Sequence, residues 1–139
     1  MRALGWTPGG DVSLGETLVD RHATSGRPAL SWFGVDGSHR AYTFGELSRL
    51  SNRFANLLQA LGVDRGDRVA GYLPRVPETL VVMLGAWKAG AIYVPIFTGF
   101  GPDAIAYRMA HSRARCCAPT GSMRAAFRIR CPAARTSSR

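Results

Sequence analysis

The most constraining feature of the sequence is the stretch from residue 66 to residue 101, GDRVAGYLPRVPETLVVMLGAWKAGAIYVPIFTGFG. Residues 68–73 form an apolar run of the length of a buried strand, and residues 91–96 form a second one. Between them, Pro77 can open a helix and Gly90 can end it. Residues 79–89 are apolar nearly all round, which predicts a helix covered on both faces. Two buried strands joined by a crossover helix lie parallel, so the stretch predicts one unit of an α/β sheet.

The turn after the second predicted strand, residues 97–101, leads into a helix predicted over residues 102–111. Ligands of open α/β sheets bind at the carboxyl ends of the strands, and a glycine turn entering a helix can hold an anion. The sequence contains neither GxGxxG nor GxxxxGK[ST] here. The alternative is that the glycines only turn the chain and that Phe97 and Phe100 only pack. From these residues alone, that alternative is favoured.

Upstream, the spacing predicts a short helix, a hairpin and a long helix. Ser13 and Glu16 can cap a helix that runs to about Ala23. Residues 28–33 and 38–43 read as two hairpin strands around the turn at Asp36-Gly37. Thr43 and Glu46 form a capping box for a helix that ends at Gly62. The predicted buried side of the first helix comprises Leu14, Leu18 and Val19, and that of the long helix comprises Phe44, Leu47, Leu50, Phe54, Leu57, Leu58 and Leu61.

The net charge of +9 is concentrated at one end of the chain. Residues 113–139 hold seven of the 18 basic residues and none of the nine acidic ones. An arginine-rich segment can bind phosphate backbones without sequence preference, but it contains one aromatic residue and no nucleic-acid motif. Specific nucleic-acid binding is therefore not predicted.

Other classes of protein also lack sequence support. Cys116, Cys117 and Cys131 do not have the spacing of a zinc site, and free thiols are expected. The first residues carry no secretory signal, and no apolar run approaches the roughly 20 residues that span a bilayer. We expect a cytoplasmic protein without membrane contact. The predicted organisation is a flexible lead-in at 1–12, an α/β domain at 13–112 and a divergent, disordered tail at 113–139.

Several short motifs in residues 14–112 resemble the N-terminal portion of the AMP-forming acyl-CoA synthetases, in their acetyl-CoA synthetase-like branch. They stand in the family's order and spacing: YTFGEL at 42–47, GDRV at 66–69, PE at 77–78 and GAIYVP at 90–95. The resemblance implies a partial N-terminal subdomain of the adenylate-forming fold, with a β-hairpin followed by βαβ parallel-strand units. It also marks residues 13–112 as a partial AMP-dependent synthetase domain.

The resemblance implies a two-step ligase. A carboxylic acid reacts with ATP to give an acyl-adenylate and pyrophosphate, and CoA then displaces AMP. Mg²⁺ would be held by the ATP phosphates. By resemblance, Phe97, Thr98 and Gly99 contact the CoA nucleotide, and they are the only site residues carried over. No catalytic or metal-binding residue is assigned.

The sequence does not contain the family's phosphate loop, its later motifs or its catalytic lysine, since the only lysine is Lys88. We therefore expect a fragment of an acyl-CoA ligase that is inactive alone and needs no cofactor by itself. A shifted reading frame or a degraded gene is our hypothesis for the departure at Arg113. Two alternatives are a non-enzymatic α/β interaction fragment with a basic tail, and a small nucleotide-binding protein that uses the turn at 97–101.

Overall fold

The structure, a computed structural model, describes residues 12–119. The predicted lead-in at 1–12 therefore lies almost entirely outside the described residues. A short helix α1 (Leu14–Leu18) and a 3-10 helix (Asp20–His22) precede the strands β1 (Pro28–Phe33) and β2 (His39–Thr43). Then follow α2 (Phe44–Ala60), β3 (Arg68–Tyr72), α3 (Pro77–Lys88), β4 (Ile92–Pro95), α4 (Pro102–Ser112) and β5 (Cys116–Pro119). The predicted order of hairpin, helix and strand–helix–strand unit is confirmed.

The caps predicted from local sequence are present. Thr43 accepts a hydrogen bond from the N–H of Glu46, and the Glu46 carboxylate accepts one from the N–H of Thr43. Gly62 and Gly90 follow α2 and α3 with φ of 74° and 75°, a left-handed conformation that glycine adopts without strain. At α1, Ser13 accepts a hydrogen bond from the N–H of Glu16.

The described strands form a hairpin and a three-stranded parallel sheet. β1 and β2 are antiparallel, whereas β4, β3 and β5 lie in that spatial order and are parallel. α2 and α3 cover one face of the sheet and α4 covers the other, because successive side chains of a strand point to opposite faces. On the first face Leu58, Val69, Ala86, Ala91 and Cys116 form the core, and on the second Ala70, Tyr72, Ile96, Ile105 and Cys117 do so.

The tail predicted to be disordered from residue 113 onward instead begins with a strand, because Cys116–Pro119 form β5 beside β3. Arg113 ends α4 in the left-handed conformation, with φ of 51°. The N–H of Arg115 then donates to the carbonyl of Arg68 at 2.8 Å, and its guanidinium pairs with Asp67 at 3.2 Å. These contacts bring the short segment into register with β3. The rest of the predicted tail, residues 120–139, lies outside the described residues.

Two smaller expectations are also corrected. Leu14 and Leu18 were predicted to be buried, but their side chains are 43% and 49% exposed, and only Val19 of the three is buried. α1 has five residues, so it is too short to present a continuous apolar face to α3. Cys117 is a free, buried thiol as expected, whereas Cys116 is disulfide-bonded.

A set of polar side chains around the buried Lys88 side chain, here named the Lys88 cluster (Asp20, Ser48, Asn52 and Lys88), joins three helical segments. The Lys88 side chain is only 7% exposed, and its Nζ lies 2.5 Å from Asp20 Oδ1 and 2.8 Å from Asn52 Oδ1. The Ser48 hydroxyl donates to the same Asp20 oxygen at 2.7 Å. The burial of a lysine is tolerated because its charge is paired and hydrogen-bonded. The sequence pattern gave no sign of this cluster, since its members are up to 68 residues apart.

Candidate functional site

The turn at residues 97–101 leaves the carboxyl end of β4, as predicted, and enters α4 at Gly101. Ile96 anchors its beginning, because its side chain is buried and its N–H donates to the carbonyl of Gly71 at 2.9 Å. The N–H of Phe100 closes the turn onto the carbonyl of Phe97 at 3.2 Å. The turn is thus fixed at both ends by the sheet and the helix.

The three predicted contact residues lie together at the surface of this turn. Phe97 is 68% exposed, and its ring lies over Gly99. A Cβ at Gly99 would lie 2.5 Å from Cε1 of Phe97. A side chain at this position would displace the ring, so glycine allows the ring to sit close to the backbone. Such an outward-facing ring offers a stacking surface to a planar base.

Two residues from other elements support the turn. The Tyr72 hydroxyl, at the end of the central strand β3, donates to the carbonyl of Thr98 at 3.1 Å. Arg108, in α4, places its guanidinium carbon 3.8 Å from the centroid of the Phe100 ring. The sequence analysis did not predict that Tyr72 or Arg108 supports the turn. For Tyr72 a signal existed, because a polar side chain at the last position of a buried strand faces the ligand-binding edge of an α/β sheet.

The strand order places this turn beside a topological switch point. The chain passes from β3 to β4 on one side and then crosses to β5 on the other side of β3. The crossover helices α3 and α4 therefore lie on opposite faces of the sheet. In open α/β sheets, ligands bind at the carboxyl ends of the strands at such a switch point.

Two titratable side chains in the sheet behind the turn are those of Cys117 and Tyr93. Burial raises the pKa of the Cys117 thiol, which packs in the same apolar cluster as Tyr72. Burial also raises the pKa of Tyr93 on the other face of the sheet. Both groups therefore stay protonated at physiological pH and serve in packing.

A cavity of about 380 Å³ lies at the opposite end of the sheet from the turn. Its lining includes Arg65, Lys88 and Gly90. The Lys88 ammonium is held by Asp20 and Asn52, so it is not available to a ligand there. The turn at 97–101 remains the better candidate for a ligand contact.

Within residues 12–119, no group of three or more His, Cys, Asp or Glu side chains could hold a metal ion. Across the same residues, no helix is long and apolar enough to cross a membrane.

Comparisons with known proteins agree with the fold. The sequence profile of the family described as AMP-binding enzyme matches residues 19–131, so the similarity continues beyond Ser112. The chain is 41% identical to the acetyl-coenzyme A synthetase of Gemmatimonas aurantiaca over 107 residues, which are 75% of this chain and 16% of that protein. It is 40% identical to the Escherichia coli K12 enzyme of the same name over 116 residues, which are 81% of this chain and 18% of that protein.

Solved structures of two related proteins contain the same arrangement. The crystal structure of a Brucella canis acyl-CoA synthetase superposes with a TM-score of 0.84 and 35% identity, covering 99% of this chain and 27% of that one. Apo MatB from Rhodopseudomonas palustris superposes with a TM-score of 0.70 and 26% identity, covering 81% and 22%. The chain spans about one-sixth of the length of the curated relatives it matches. It belongs to the AMP-binding enzyme family and corresponds to a small part of an acetyl-CoA synthetase-like protein.

Proposed function

We propose that this chain supplies part of the CoA site of an AMP-forming acyl-CoA synthetase. The complete reaction joins a carboxylic acid to CoA at the expense of ATP, which is cleaved to AMP and pyrophosphate. The chain contributes the turn at residues 97–101 to the second half-reaction, in which the CoA thiol displaces AMP. The observation that carries the proposal is the exposed Phe97 ring, held over Gly99 at the carboxyl edge of the sheet.

The roles of the three turn residues follow from their chemistry. The Phe97 ring stacks on the nucleotide base, a contact worth about 1–3 kcal/mol per base when an aromatic side chain provides it. Thr98 has its carbonyl held by Tyr72, which fixes the backbone of the turn. Gly99 permits the close approach of ring and backbone. None of these groups activates a nucleophile, so the turn binds and orients CoA.

The chain alone is proposed to be inactive, because its sequence contains neither the phosphate loop nor the catalytic lysine of the family. Lys88 cannot substitute for that lysine. Its Nζ is buried in the Lys88 cluster and is paired with Asp20. It also lies near the amino ends of the strands, away from the turn. The proposed activity therefore needs the remaining part of a synthetase.

A hybrid enzyme tests the proposal. Residues 19–119 of this chain replace the matched segment of E. coli acetyl-coenzyme A synthetase, and acetyl-CoA formation is followed with acetate, ATP and CoA varied separately. The hybrid is expected to be active, whereas the full 139-residue chain alone is expected to form no acetyl-CoA. Activity of the full chain alone would contradict the proposed inactivity.

Substitution of Phe97 tests the CoA contact within the hybrid enzyme. Phe97→Ala is expected to raise the KM for CoA about tenfold and to leave the KM for ATP unchanged. Phe33→Ala is the matched control, because Phe33 is 71% exposed but lies on the hairpin. An unchanged KM for CoA in Phe97→Ala, or an equal effect of Phe33→Ala, would overturn the assignment of the turn.

A further inference from the structure

Arg108, on α4, makes two side-chain contacts, one within its own helix and one with Phe100 of the turn. Its Nη1 donates to the carbonyl of Ala104, one helical turn earlier, at 3.1 Å. Its guanidinium carbon lies 3.8 Å from the centre of the Phe100 ring, within the range of a cation–π interaction. The helix thus presents a fixed cation to the face of Phe100.

Phe100 connects this cation to the proposed ligand contact. Its ring meets that of Phe97 edge to face, with centroids 5.6 Å apart and planes at 84°. This is one of the two preferred geometries of aromatic pairs. Phe100 is half-buried against the apolar cluster beneath α4, whereas Phe97 projects into solvent. A ring with one buried neighbour takes its orientation from that neighbour.

We infer that Arg108 is a positioning residue for the CoA site. It fixes the plane of Phe100, and through Phe100 it orients Phe97 for stacking on the nucleotide. This inference rests on the proposed function, because it concerns the same turn. It adds a residue from α4 that touches neither the base nor the reacting atoms.

A direct contact between Arg108 and a CoA phosphate is the competing explanation. The geometry favours the indirect role, because the guanidinium faces the Phe100 ring and donates back into its own helix. The two explanations differ in whether removal of Phe100 abolishes the effect of Arg108.

A double-mutant cycle in the hybrid enzyme separates them. Arg108→Met keeps a long side chain of good helix propensity and removes the charge. It is expected to raise the KM for CoA about threefold, as loss of one exposed cation–π contact predicts, with kcat and the KM for ATP and acetate unchanged. Phe100→Leu is expected to raise the same KM, and the double variant is expected to resemble Phe100→Leu alone. Arg53→Met is the control, because Arg53 is an exposed arginine on α2, on the opposite face of the sheet.

Three outcomes would overturn the inference. An unchanged KM for CoA in Arg108→Met removes the role entirely. If Arg108→Met raises the KM for CoA by the same factor in the Phe100→Leu background, Arg108 contacts a CoA phosphate directly. A parallel loss of kcat or a rise in all three KM values assigns it to stability of the fold. If Phe97→Ala leaves the KM for CoA unchanged, the proposed function itself fails. If Phe97→Ala raises this KM and Arg108→Met does not, only this inference fails.

A spectroscopic measurement on the full 139-residue chain gives an independent test. Proton NMR of the Arg108 side chain is expected to show δ-proton signals shifted upfield by the Phe100 ring current. Phe100→Leu is expected to return these signals to their ordinary positions. Ordinary shifts in the unsubstituted chain would show that the guanidinium does not lie on the ring, and would overturn the inference.

Discussion

At the amino ends of the parallel strands, the Lys88 cluster joins α2, α3 and the 3-10 helix through short polar contacts around the buried Lys88 side chain. At the carboxyl ends, the turn at 97–101 projects Phe97 into solvent on a supported but open surface. In the cluster, the Lys88 ammonium and the Ser48 hydroxyl both donate hydrogen bonds to the Asp20 carboxylate. In the turn, the outer face of the aromatic ring has no neighbour among the described residues that covers it. The first arrangement suits stability, and the second suits binding of a further molecule.

The largest expected effect is a loss of stability at the Lys88 cluster that leaves CoA binding at the turn unchanged. Lys88→Met leaves the Asp20 carboxylate without its cation, and we expect the free energy of unfolding of the full chain to fall by about 2–3 kcal/mol. This is less than the roughly 3–5 kcal/mol of a fully buried pair, because the Asp20 side chain is 33% exposed. Urea denaturation measures the loss. In the hybrid enzyme, the KM for CoA is expected to stay constant.

A double variant checks the cause of that loss. Asp20→Asn combined with Lys88→Met removes both charges and is expected to be less destabilised than the sum of the two single variants. A strictly additive result would show that Lys88 acts through packing of its stem and not through the ion pair.

The next effect concerns Gly85, a glycine whose Cβ position is crowded, in contrast to that of Gly101. A Cβ at Gly85 would lie 2.8 Å from the carbonyl oxygen of Ser51 and 3.0 Å from Cβ of Phe54, where α3 crosses α2. Gly85→Ala is expected to destabilise the chain by about 1–3 kcal/mol, although alanine favours helices. Gly101→Ala is the control, because its Cβ would meet nothing within 4 Å. Urea midpoints compare the two, and equal midpoints would contradict the crowding argument.

Gly99→Ala is expected to act on binding and not on stability. The atom it would displace is the edge of the exposed Phe97 ring, which can rotate away. We expect the free energy of unfolding to change by less than about 0.5 kcal/mol, as at ordinary surface positions. The KM for CoA of the hybrid enzyme is expected to rise about fivefold, as part of the stacking is lost. A loss of stability like that of Gly85→Ala would show that the turn is as rigid as the core.

The smallest effect depends on pH and belongs to neither end of the sheet. Hydrogen bonds from the N–H and the hydroxyl of Thr43 hold the pKa of Glu46 below its ordinary value of 4.5. Because the folded-state pKa is the lower one, Glu46 contributes its stability fully above pH 4.5 and loses it as the pH falls through the folded-state value. The difference in unfolding free energy between the natural chain and Glu46→Gln is therefore expected to shrink from pH 6 to pH 3. A difference that is constant over this range would contradict the linkage.

Local sequence signals predicted the elements and their ends well. The capping box at Thr43 and Glu46, the helix ends at Gly62 and Gly90, and Pro77 in the first turn of α3 all depend on a few neighbouring residues. The position of the turn at 97–101 followed in the same way, because it is set by the end of β4 and the start of α4. Such signals are reliable because their physical cause lies within one or two turns of chain.

Long-range contacts account for what the sequence did not predict. β5 is a segment of only four residues, Cys116–Pro119, and it forms because β3 offers it a partner. Leu18 has the apolar character of a core residue, but α1 and its neighbours do not cover it. Lys88 stands in the last turn of α3, where a surface role is usual, and is buried because Asp20 and Asn52 reach it from other helices.

The sequence by itself determined the hairpin, the capped helices, the parallel strand unit and the family to which the chain belongs, since each is encoded by periodicity, by caps or by motifs of contiguous residues. Only the tertiary structure decided that Cys116–Pro119 complete the sheet, that Lys88 is a buried link between helices, and that Tyr72 and Arg108 support the turn. The reason is physical: the free energy of these contacts comes from pairing groups 8 to 68 residues apart. No local pattern records which of the many possible pairs the folded chain brings together.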